Sequence, residues 1–212
     1  MRFRYQLLFI VFGLWVLTAQ AAKAPTILVV GDSLSAAYGM ELAESWPSLL
    51  QERLSENGYA WRVFNSSVAG DTTQGGLSRL PGLLAEQQPG MVIIELGGND
   101  GLRGLPLDVT RRNLAKMIEQ ARTAGARVLL TEMRIPPNYG RSYTEQFNGT
   151  YHDLAEMPGV TLVPFLLEDI ALKPDLMQED GIHPTAQAQP LILDKVWSVL
   201  EPVLDKSAAS GR

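Results

Sequence analysis

Short runs of apolar residues alternate along this chain with longer segments in which apolar residues recur every three or four positions. Five apolar runs predict buried strands, at residues 26–31, 61–65, 91–96, 127–132 and 160–164. Five segments of helical spacing predict helices, at residues 42–57, 72–88, 107–124, 143–157 and 186–204. The second helix contains Gly75, Gly76 and Pro81, which are residues typical of an interruption.

Strands that alternate with helices predict an α/β fold. The continuous apolar character of the strands is typical of a parallel sheet that helices cover on both faces. The chain shows no repeat and no linker, so we expect a single three-layer α/β/α domain around a parallel sheet of about five strands. Such sheets bind ligands at the carboxyl ends of their strands, so the residues that follow each strand are the first candidates for function.

The first 21 residues have the pattern of a secretory signal peptide. Arg2 and Arg4 precede an apolar run at residues 7–17 that is short for a membrane span, and Ala19 and Ala21 give the small-x-small pattern of a cleavage site. We expect export with cleavage near Ala21 and no stable membrane insertion afterwards, with an uncleaved anchor as the alternative. The rest divides into a domain at residues 22–204 and a polar, flexible tail at residues 205–212.

Composition narrows the chemistry that the chain can perform. The 212 residues include no cysteine, which excludes thiol nucleophiles, thiolate zinc sites and lipoprotein anchoring. Residues 1–21 hold two arginines and no acid, so the 18 basic and 23 acidic side chains become 16 and 23 after cleavage, a net charge of −7. This acidic balance, without any basic stripe, argues against binding to nucleic acid.

The predicted strand ends collect polar residues of complementary chemistry. Ser33 follows the first strand, Gly70 follows the second and Asn99 follows the third, while Asp180 and His183 lie between the fifth strand and the last helix. The carboxyl ends of parallel strands meet at one edge of the sheet, so we expect these residues to lie close together. A serine, a histidine, an acid and hydrogen-bond donors together are the set that acyl transfer requires.

A serine hydroxyl becomes a nucleophile only when a neighbouring base takes its proton, and histidine is the usual base. The chain has two histidines. His152 lies inside a predicted helix with no acid at a suitable spacing, which is typical of a surface or packing histidine. His183 has Asp180 three residues before it in a turn with Gly181 and Pro184, and this spacing lets a carboxylate reach the imidazole Nδ1. On its own the pair is only suggestive, since acids are common.

Gly70 and Asn99 are candidates for stabilising the oxyanion of an ester or thioester during acyl transfer. A glycine exposes its backbone N–H because it has no side chain to shield it, and an asparagine amide is a second suitable donor. Both residue types are also common in ordinary turns, so each one alone admits a purely structural interpretation.

Taken together, the motifs "GDSLS", "GDTT", "GGNDG" and "DGIHP" resemble the four ordered blocks of the SGNH (GDSL-type) hydrolases over nearly the whole mature chain. "WPSLL", "ELGGNDGLRG", "PPNYG" and "MQEDGIHP" resemble more narrowly the periplasmic acyl-CoA thioesterase I, lysophospholipase and arylesterase branch of Gram-negative bacteria. The resemblance implies a flavodoxin-like fold, periplasmic location, no metal or organic cofactor, and Ser33 as nucleophile. It also implies His183 as base, Asp180 as its orienting acid, and an oxyanion hole of the Ser33 and Gly70 N–H groups and the Asn99 amide.

Two segments are expected to shape the acyl site as loops, residues 73–81 and residues 135–141. The alternative is that both are ordinary surface turns. Their candidate substrate-binding residues are Leu77, Leu80, Pro81, Ile135, Pro136 and Tyr139.

The polar neighbours of these candidates are expected to have structural roles. Asp32 and Asp100 are predicted to bond nearby backbone N–H groups. Asp71 is predicted to cap the helix that begins at residue 72, and Ser35 to form local hydrogen bonds.

The sequence therefore predicts a monomeric esterase, thioesterase or lysophospholipase that acts on small acyl esters and thioesters. A carbohydrate acetylesterase on the same scaffold is the alternative, and a preference for acetyl over longer acyl groups would favour it. A non-catalytic binding module is disfavoured because serine, acid and histidine are all present. "GDSLSAAYG" lacks two glycines of the dinucleotide-binding G-x-G-x-x-G pattern, which argues against a nucleotide-binding protein. No G-x-S-x-G motif follows a central strand, which argues against a standard α/β-hydrolase fold.

Overall fold

The computed structural model describes residues 24–204, so the predicted signal peptide and the predicted tail lie outside the described residues. The strands are β1 Thr26–Gly31, β2 Arg62–Asn65, β3 Met91–Glu95, β4 Arg127–Thr131 and β5 Val160–Val163. The helices are α1 Trp46–Glu56, α2 Thr73–Gln87, α3 Gly98–Leu102, α4 Leu107–Thr123, α5 Arg141–Ala155 and α6 Gln189–Leu200. The 3-10 turns are Leu42–Glu44, Pro137–Tyr139, Pro174–Leu176, Ala186–Ala188 and Glu201–Val203.

The strands form one five-stranded parallel sheet in the order β2-β1-β3-β4-β5. The two central strands, β1 and β3, are buried along their whole length, as their continuous apolar sequences require. Helix α1 packs on α6, whereas α4 packs on both α2 and α5. Right-handed crossovers in this strand order place these two groups on opposite faces, so the predicted α/β/α architecture is confirmed.

Helix α2 runs without interruption through the residues expected to break it. Its glycines serve close packing: a Cβ at Gly76 would lie 2.3 Å from Leu96 Cδ1, and one at Gly75 would lie 1.8 Å from Asp71 Oδ1. The predicted interruption is therefore wrong, because tertiary contacts outweigh the weak helix propensity of glycine.

The predicted capping role of Asp71 is also wrong. The Thr72 side chain caps α2 by accepting a hydrogen bond from the backbone N–H of Gly75 at 3.3 Å. The Asp71 carboxylate instead pairs with Nε of Arg79 at 2.9 Å. The loop before α2 is thus fixed to the second turn of the helix by an ion pair as well as by the cap.

Two predicted helices are divided in the structure. Residues 42–57 form the 3-10 turn Leu42–Glu44 and then α1, and residues 186–204 form the turn Ala186–Ala188, then α6 and then Glu201–Val203. Pro47 and Pro190 occupy the first turns of α1 and α6, where proline costs no backbone hydrogen bond. Between residues 24 and 204, no helix has both the length and the apolar character needed to cross a membrane.

Candidate active site

Ser33 stands on a turn directly after β1. The Asp32 carbonyl oxygen accepts hydrogen bonds from the N–H groups of Ser35 and Ala36, at 3.3 and 3.0 Å, and this turn leaves Ser33 half-buried at the carboxyl edge of the sheet. Gly31 is the last residue of β1, and a Cβ there would lie 2.6 Å from the Glu95 carboxyl group. The glycine therefore permits a close approach of β1 to the side chain of β3.

His183 meets Ser33 from the loop that precedes α6. Its Nε2 lies 2.9 Å from Ser33 Oγ, and its Nδ1 lies 2.6 Å from Asp180 Oδ2. The turn is closed by the N–H of Gln178, which donates to the His183 carbonyl oxygen at 2.7 Å. By contrast, His152 is largely exposed on α5 with its Nε2 3.7 Å from Glu132 Oε1, in keeping with the predicted surface role.

Hydrogen bonds to Oδ1 of Asp180 orient its other oxygen, Oδ2, toward His183. Oδ1 accepts the N–H groups of Ile182 and His183 at 2.9 and 3.0 Å, so Oδ2 faces the imidazole. These N–H groups and the imidazole lower the pKa of Asp180 to about 2, the backbone N–H of His183 having the largest effect. Asp180 is therefore an anion at neutral pH, which holds the proton of neutral His183 on Nδ1 and leaves Nε2 free to accept the Ser33 proton.

The backbone N–H groups of Ser33 and Gly70 bond no acceptor within residues 24–204, so both are available to an oxyanion. Gly70 has φ +77°, a conformation that favours glycine. Arg103 holds the Gly70 carbonyl oxygen at 3.0 Å, and the N–H of Val68 bonds the Gly31 carbonyl oxygen at 3.1 Å. The loop after β2 is thereby tied to the end of β1.

Asn99 is the second residue of α3, a short helix that the sequence did not predict. Its Nδ2 donates to Asp32 Oδ2 at 3.0 Å and keeps a second hydrogen for another acceptor. Because β2 and β3 are the two neighbours of β1, the loops that carry Gly70 and Asn99 flank Ser33. The structure thus brings all five proposed residues to one edge of the sheet.

Asp100 explains why α3 forms from a sequence of poor helix formers. Its buried carboxylate accepts the N–H and hydroxyl of Thr73 at the start of α2 and the hydroxyl of Thr110 in α4. Asp32 likewise accepts the N–H of Leu34 at 3.1 Å. Asp32 and Asp100 thus form the bonds to backbone N–H groups that were predicted.

Ser35 forms the predicted local hydrogen bond through its backbone N–H, whereas its hydroxyl bonds residues that are distant in the chain. Its hydroxyl donates to Glu95 Oε2 at 2.7 Å and accepts from Trp46 Nε1 at 3.2 Å, so it links three distant parts of the chain. Glu95 is fully buried, and sequence reasoning missed it. The sequence could have identified it, since Glu95 is the single charged residue of the apolar run "MVIIEL".

The segment at residues 73–81 is the first part of α2 and not the expected loop. Leu80 is fully buried and belongs to the core, and Pro81 faces a groove between α2 and α4. The structure therefore brings neither residue to the cleft, and their predicted contact with substrate is wrong. Leu77 is half-buried against the core and stays a candidate.

The segment at residues 135–141 lies against α3. Ile135 is buried beside Gly101, and the hydroxyl of Tyr139 donates to the Leu102 carbonyl oxygen at 2.9 Å. Pro136 and Tyr139 are exposed. This segment is thus placed next to the helix that carries Asn99, as a cleft wall requires.

Exposed apolar side chains near the serine were not predicted. The ring of Tyr38 lies on the imidazole of His183 with centroids 4.2 Å apart, and Gln178 Nε2 donates to the Tyr38 carbonyl oxygen at 2.9 Å. Val68 and Ile182, beside Gly70 and His183 in the chain, each expose about half of their surface. These side chains give the edge around Ser33 an apolar character.

Comparisons with known proteins relate this chain to esterases and acylhydrolases. The sequence model of the GDSL-like lipase/acylhydrolase family matches residues 29–190. The chain is 51% identical over 189 residues to esterase TesA of Pseudomonas aeruginosa, covering 89% of this chain and 94% of that protein. It is 45% identical over 203 residues to the thioesterase 1/protease 1/lysophospholipase L1 of Escherichia coli, covering 96% and 95%. The crystal structure of the psychrotrophic esterase EstA from Pseudoalteromonas matches with a TM-score of 0.81 and 41% identity, covering 84% of this chain and 97% of that one.

Proposed function

The chain belongs to the GDSL-like lipase/acylhydrolase family, and from this premise we propose that it hydrolyses carboxylic esters and thioesters through an acyl-enzyme on Ser33. The observation that carries the proposal is the continuous line of hydrogen bonds from Asp180 through His183 to Ser33, at 2.6 and 2.9 Å. This line supplies a nucleophile, a base and an orienting anion in the geometry that acyl transfer uses.

In the first half of the reaction, Ser33 Oγ attacks the acyl carbon while its proton passes to His183 Nε2. The carbonyl oxygen becomes an oxyanion that accepts hydrogen bonds from the Ser33 and Gly70 N–H groups and from the Asn99 amide. The imidazolium is stabilised by the Asp180 anion and by the face of Tyr38. His183 then gives the proton to the leaving alcohol or thiol, and the acyl group stays on Ser33.

In the second half, water takes the place of the leaving group. His183 removes a proton from the water as its oxygen attacks the acyl carbon, and the same three donors hold the second oxyanion. Collapse of this intermediate breaks the bond to Ser33 Oγ, which regains its proton from His183. The carboxylic acid leaves, and the free enzyme is restored.

Acyl-CoA thioesters, lysophospholipids and aryl esters are the proposed substrates. The relatives are described as an esterase and as a thioesterase and lysophospholipase, and the apolar side chains of Tyr38, Val68 and Ile182 suit an acyl chain. We propose that Ile135, Pro136 and Tyr139 form the opposite wall of the acyl site.

The test is hydrolysis of p-nitrophenyl esters, acyl-CoAs and lysophospholipids of several chain lengths by the wild type and by Ser33→Ala. We expect turnover of acyl groups longer than acetyl, and no turnover by the variant at an unchanged melting temperature. Full activity of folded Ser33→Ala would refute the mechanism, and a strict preference for acetyl would favour a carbohydrate acetylesterase.

We also propose that residues 1–21 direct the protein to the periplasm and are removed, and that the mature enzyme acts as a monomer. The basic and apolar pattern of residues 1–21 supports the first proposal. Mass spectrometry of the protein recovered from the periplasm tests the cleavage, and sedimentation measures its mass in solution.

A further inference from the structure

Two carboxyl groups lie buried behind Ser33, at the ends of β1 and β3. Asp32 is 2% exposed and Glu95 is fully buried. Glu95 Oε2 accepts the N–H of Asp32 at 3.2 Å and the hydroxyl of Ser35 at 2.7 Å, so the Glu95 carboxyl group lies against the backbone of Asp32. The mechanism as described uses neither group.

Two carboxyl groups buried this close together do not both ionise readily, so one of them holds a proton at neutral pH. The oxygens of Asp32 accept the Leu34 N–H at 3.1 Å and Asn99 Nδ2 at 3.0 Å, which favours the anion there. Glu95 Oε1 is buried and receives no hydrogen bond from a donor group within residues 24–204, so it is the oxygen that can carry the proton. The surroundings therefore assign the charge to Asp32 and the proton to Glu95.

Burial raises the pKa of both groups, and the nearby Asp32 charge raises the pKa of Glu95 further. The other groups that face the pair do not change this assignment. Tyr151 from α5 donates its hydroxyl to a backbone carbonyl oxygen, His183 acts on the pKa of Asp32 in the lowering direction, and Arg79 from α2 is paired with Asp71.

This arrangement matters because an asparagine amide can take two orientations that exchange its oxygen and its NH2 group. Only one orientation offers a donor to the oxyanion. Asp32 as an anion accepts hydrogen bonds and cannot donate them, so it selects the orientation in which Asn99 Nδ2 faces both Asp32 and the oxyanion. A protonated Asp32 could donate to the amide oxygen and permit the other orientation.

We propose that protonated Glu95 and ionised Asp32 form a positioning pair that fixes the Asn99 amide with its NH2 group toward the oxyanion. The proposal rests on the proposed function, since it assigns these residues to the oxyanion hole of that reaction. Glu95 acts on Asn99 through Asp32, because a proton on Glu95 keeps the negative charge on Asp32.

The pair is tested by variants that change hydrogen-bond polarity at constant shape. Asp32→Asn places an NH2 group opposite Asn99, which turns the Asn99 amide and presents its oxygen to the oxyanion. We expect kcat to fall about 10²–10³-fold, the usual cost of one lost oxyanion donor, with KM changed less than about threefold. Glu95→Leu removes the proton donor, and we expect kcat to fall at least about tenfold. Glu95→Gln supplies an NH2 donor and an acceptor of the same shape, and we expect it to restore kcat to within about threefold of the wild type.

A double variant separates positioning from a general structural role. If Asp32 acts through Asn99, then Asp32→Asn with Asn99→Ala has a kcat within about threefold of Asn99→Ala alone. Three results would each overturn the proposal. They are a double variant whose loss of kcat is the product of the two single losses, a wild-type kcat in folded Asp32→Asn, and equal losses of kcat in Glu95→Gln and Glu95→Leu. Melting temperatures of all variants identify any loss of folded protein.

A measurement independent of turnover covers the case in which Asp32→Asn does not fold or the wild type hydrolyses no ester. The infrared spectrum of the wild type should contain the carbonyl band of a protonated carboxyl group at about pH 8, where ordinary carboxyl groups are ionised. We expect Glu95→Gln to remove this band. A spectrum without it, or one in which it survives in Glu95→Gln, would overturn the proposal whatever the enzyme hydrolyses.

Discussion

Replacing Asp180 with asparagine changes the proton on His183 without changing the shape of the turn. The N–H groups of Ile182 and His183 bond one oxygen of the carboxylate, at 2.9 and 3.0 Å. In the variant the amide oxygen takes this position, because only an oxygen can accept these bonds. The NH2 group then faces His183 Nδ1 from the place, 2.6 Å away, that Oδ2 holds in the wild type.

A donor at that place selects the imidazole tautomer with its hydrogen on Nε2. Nε2 then cannot accept the proton of Ser33, which lies 2.9 Å away, and the reaction loses its base. Wrong-tautomer variants of serine triads lose about 10⁴-fold in kcat, which corresponds to about 5.5 kcal/mol of transition-state stabilisation. Both turn hydrogen bonds survive but lose their charge, so the free energy of unfolding should fall by less than the loss of both acceptors would cost.

The assay is the initial rate of p-nitrophenyl ester hydrolysis near neutral pH, combined with urea unfolding of the same preparations. Asp180→Ala is the matched control, because it removes both acceptors of the turn and should cost about 1 kcal/mol of stability in addition to activity. A kcat for Asp180→Asn within tenfold of the wild type would refute the tautomer argument. Equal destabilisation of the two variants would show that the oxygen does not anchor the turn.

Three further outcomes are expected from the same geometry. Asn99→Ala should lower kcat about 10²–10³-fold with little change in melting temperature, and an unchanged kcat would remove Asn99 from the oxyanion hole. Thr72→Ala should lower the free energy of unfolding by about 1 kcal/mol in urea and leave kcat unchanged, because it removes only the cap of α2. Burial raises the pKa of Asp32 from its ordinary 3.8 to about 6, so the folded state binds its proton more tightly and stability from this group is lost as pH rises through about 6. The free energy of unfolding should therefore fall less between about pH 4 and pH 7 for Asp32→Asn than for the wild type. Equal falls in the two proteins would contradict this direction of the pKa shift.

The strands could be predicted from the sequence because continuous apolar runs identify parallel strands, and sheet geometry then brings Ser33 and Asn99 to one edge. Asp180 and His183 lie in the long segment after β5, so their pairing with Ser33 was predicted from four motifs in the family order and not from their spacing alone. Helix α3 could not be predicted, since "GNDGL" has poor helix propensity and forms because Asp100 is held by Thr73 and Thr110.

The errors concern contacts that the local pattern does not specify. Gly75 and Gly76 suggested an interruption, whereas both lie in a continuous helix with the side chains of Asp71 and Leu96 packed close to them. The hydrogen bond between Ser35 and Glu95 joins residues 60 positions apart, and no pattern within either segment predicts it. Buried polar pairs of this kind depend on the register of neighbouring strands, which composition and periodicity do not specify.

The hydrogen bond between Ser33 and His183 joins residues that are 150 positions apart. A second long-range bond, from the Trp46 N–H to Gln189 Oε1 at 3.0 Å, fixes the first long helix to the last. Closing such a long loop is entropically costly and comes late in folding, so the active site exists only after both ends of the domain have docked. Recovery of esterase activity during refolding should therefore follow the final step of folding and lag behind the return of helical circular dichroism.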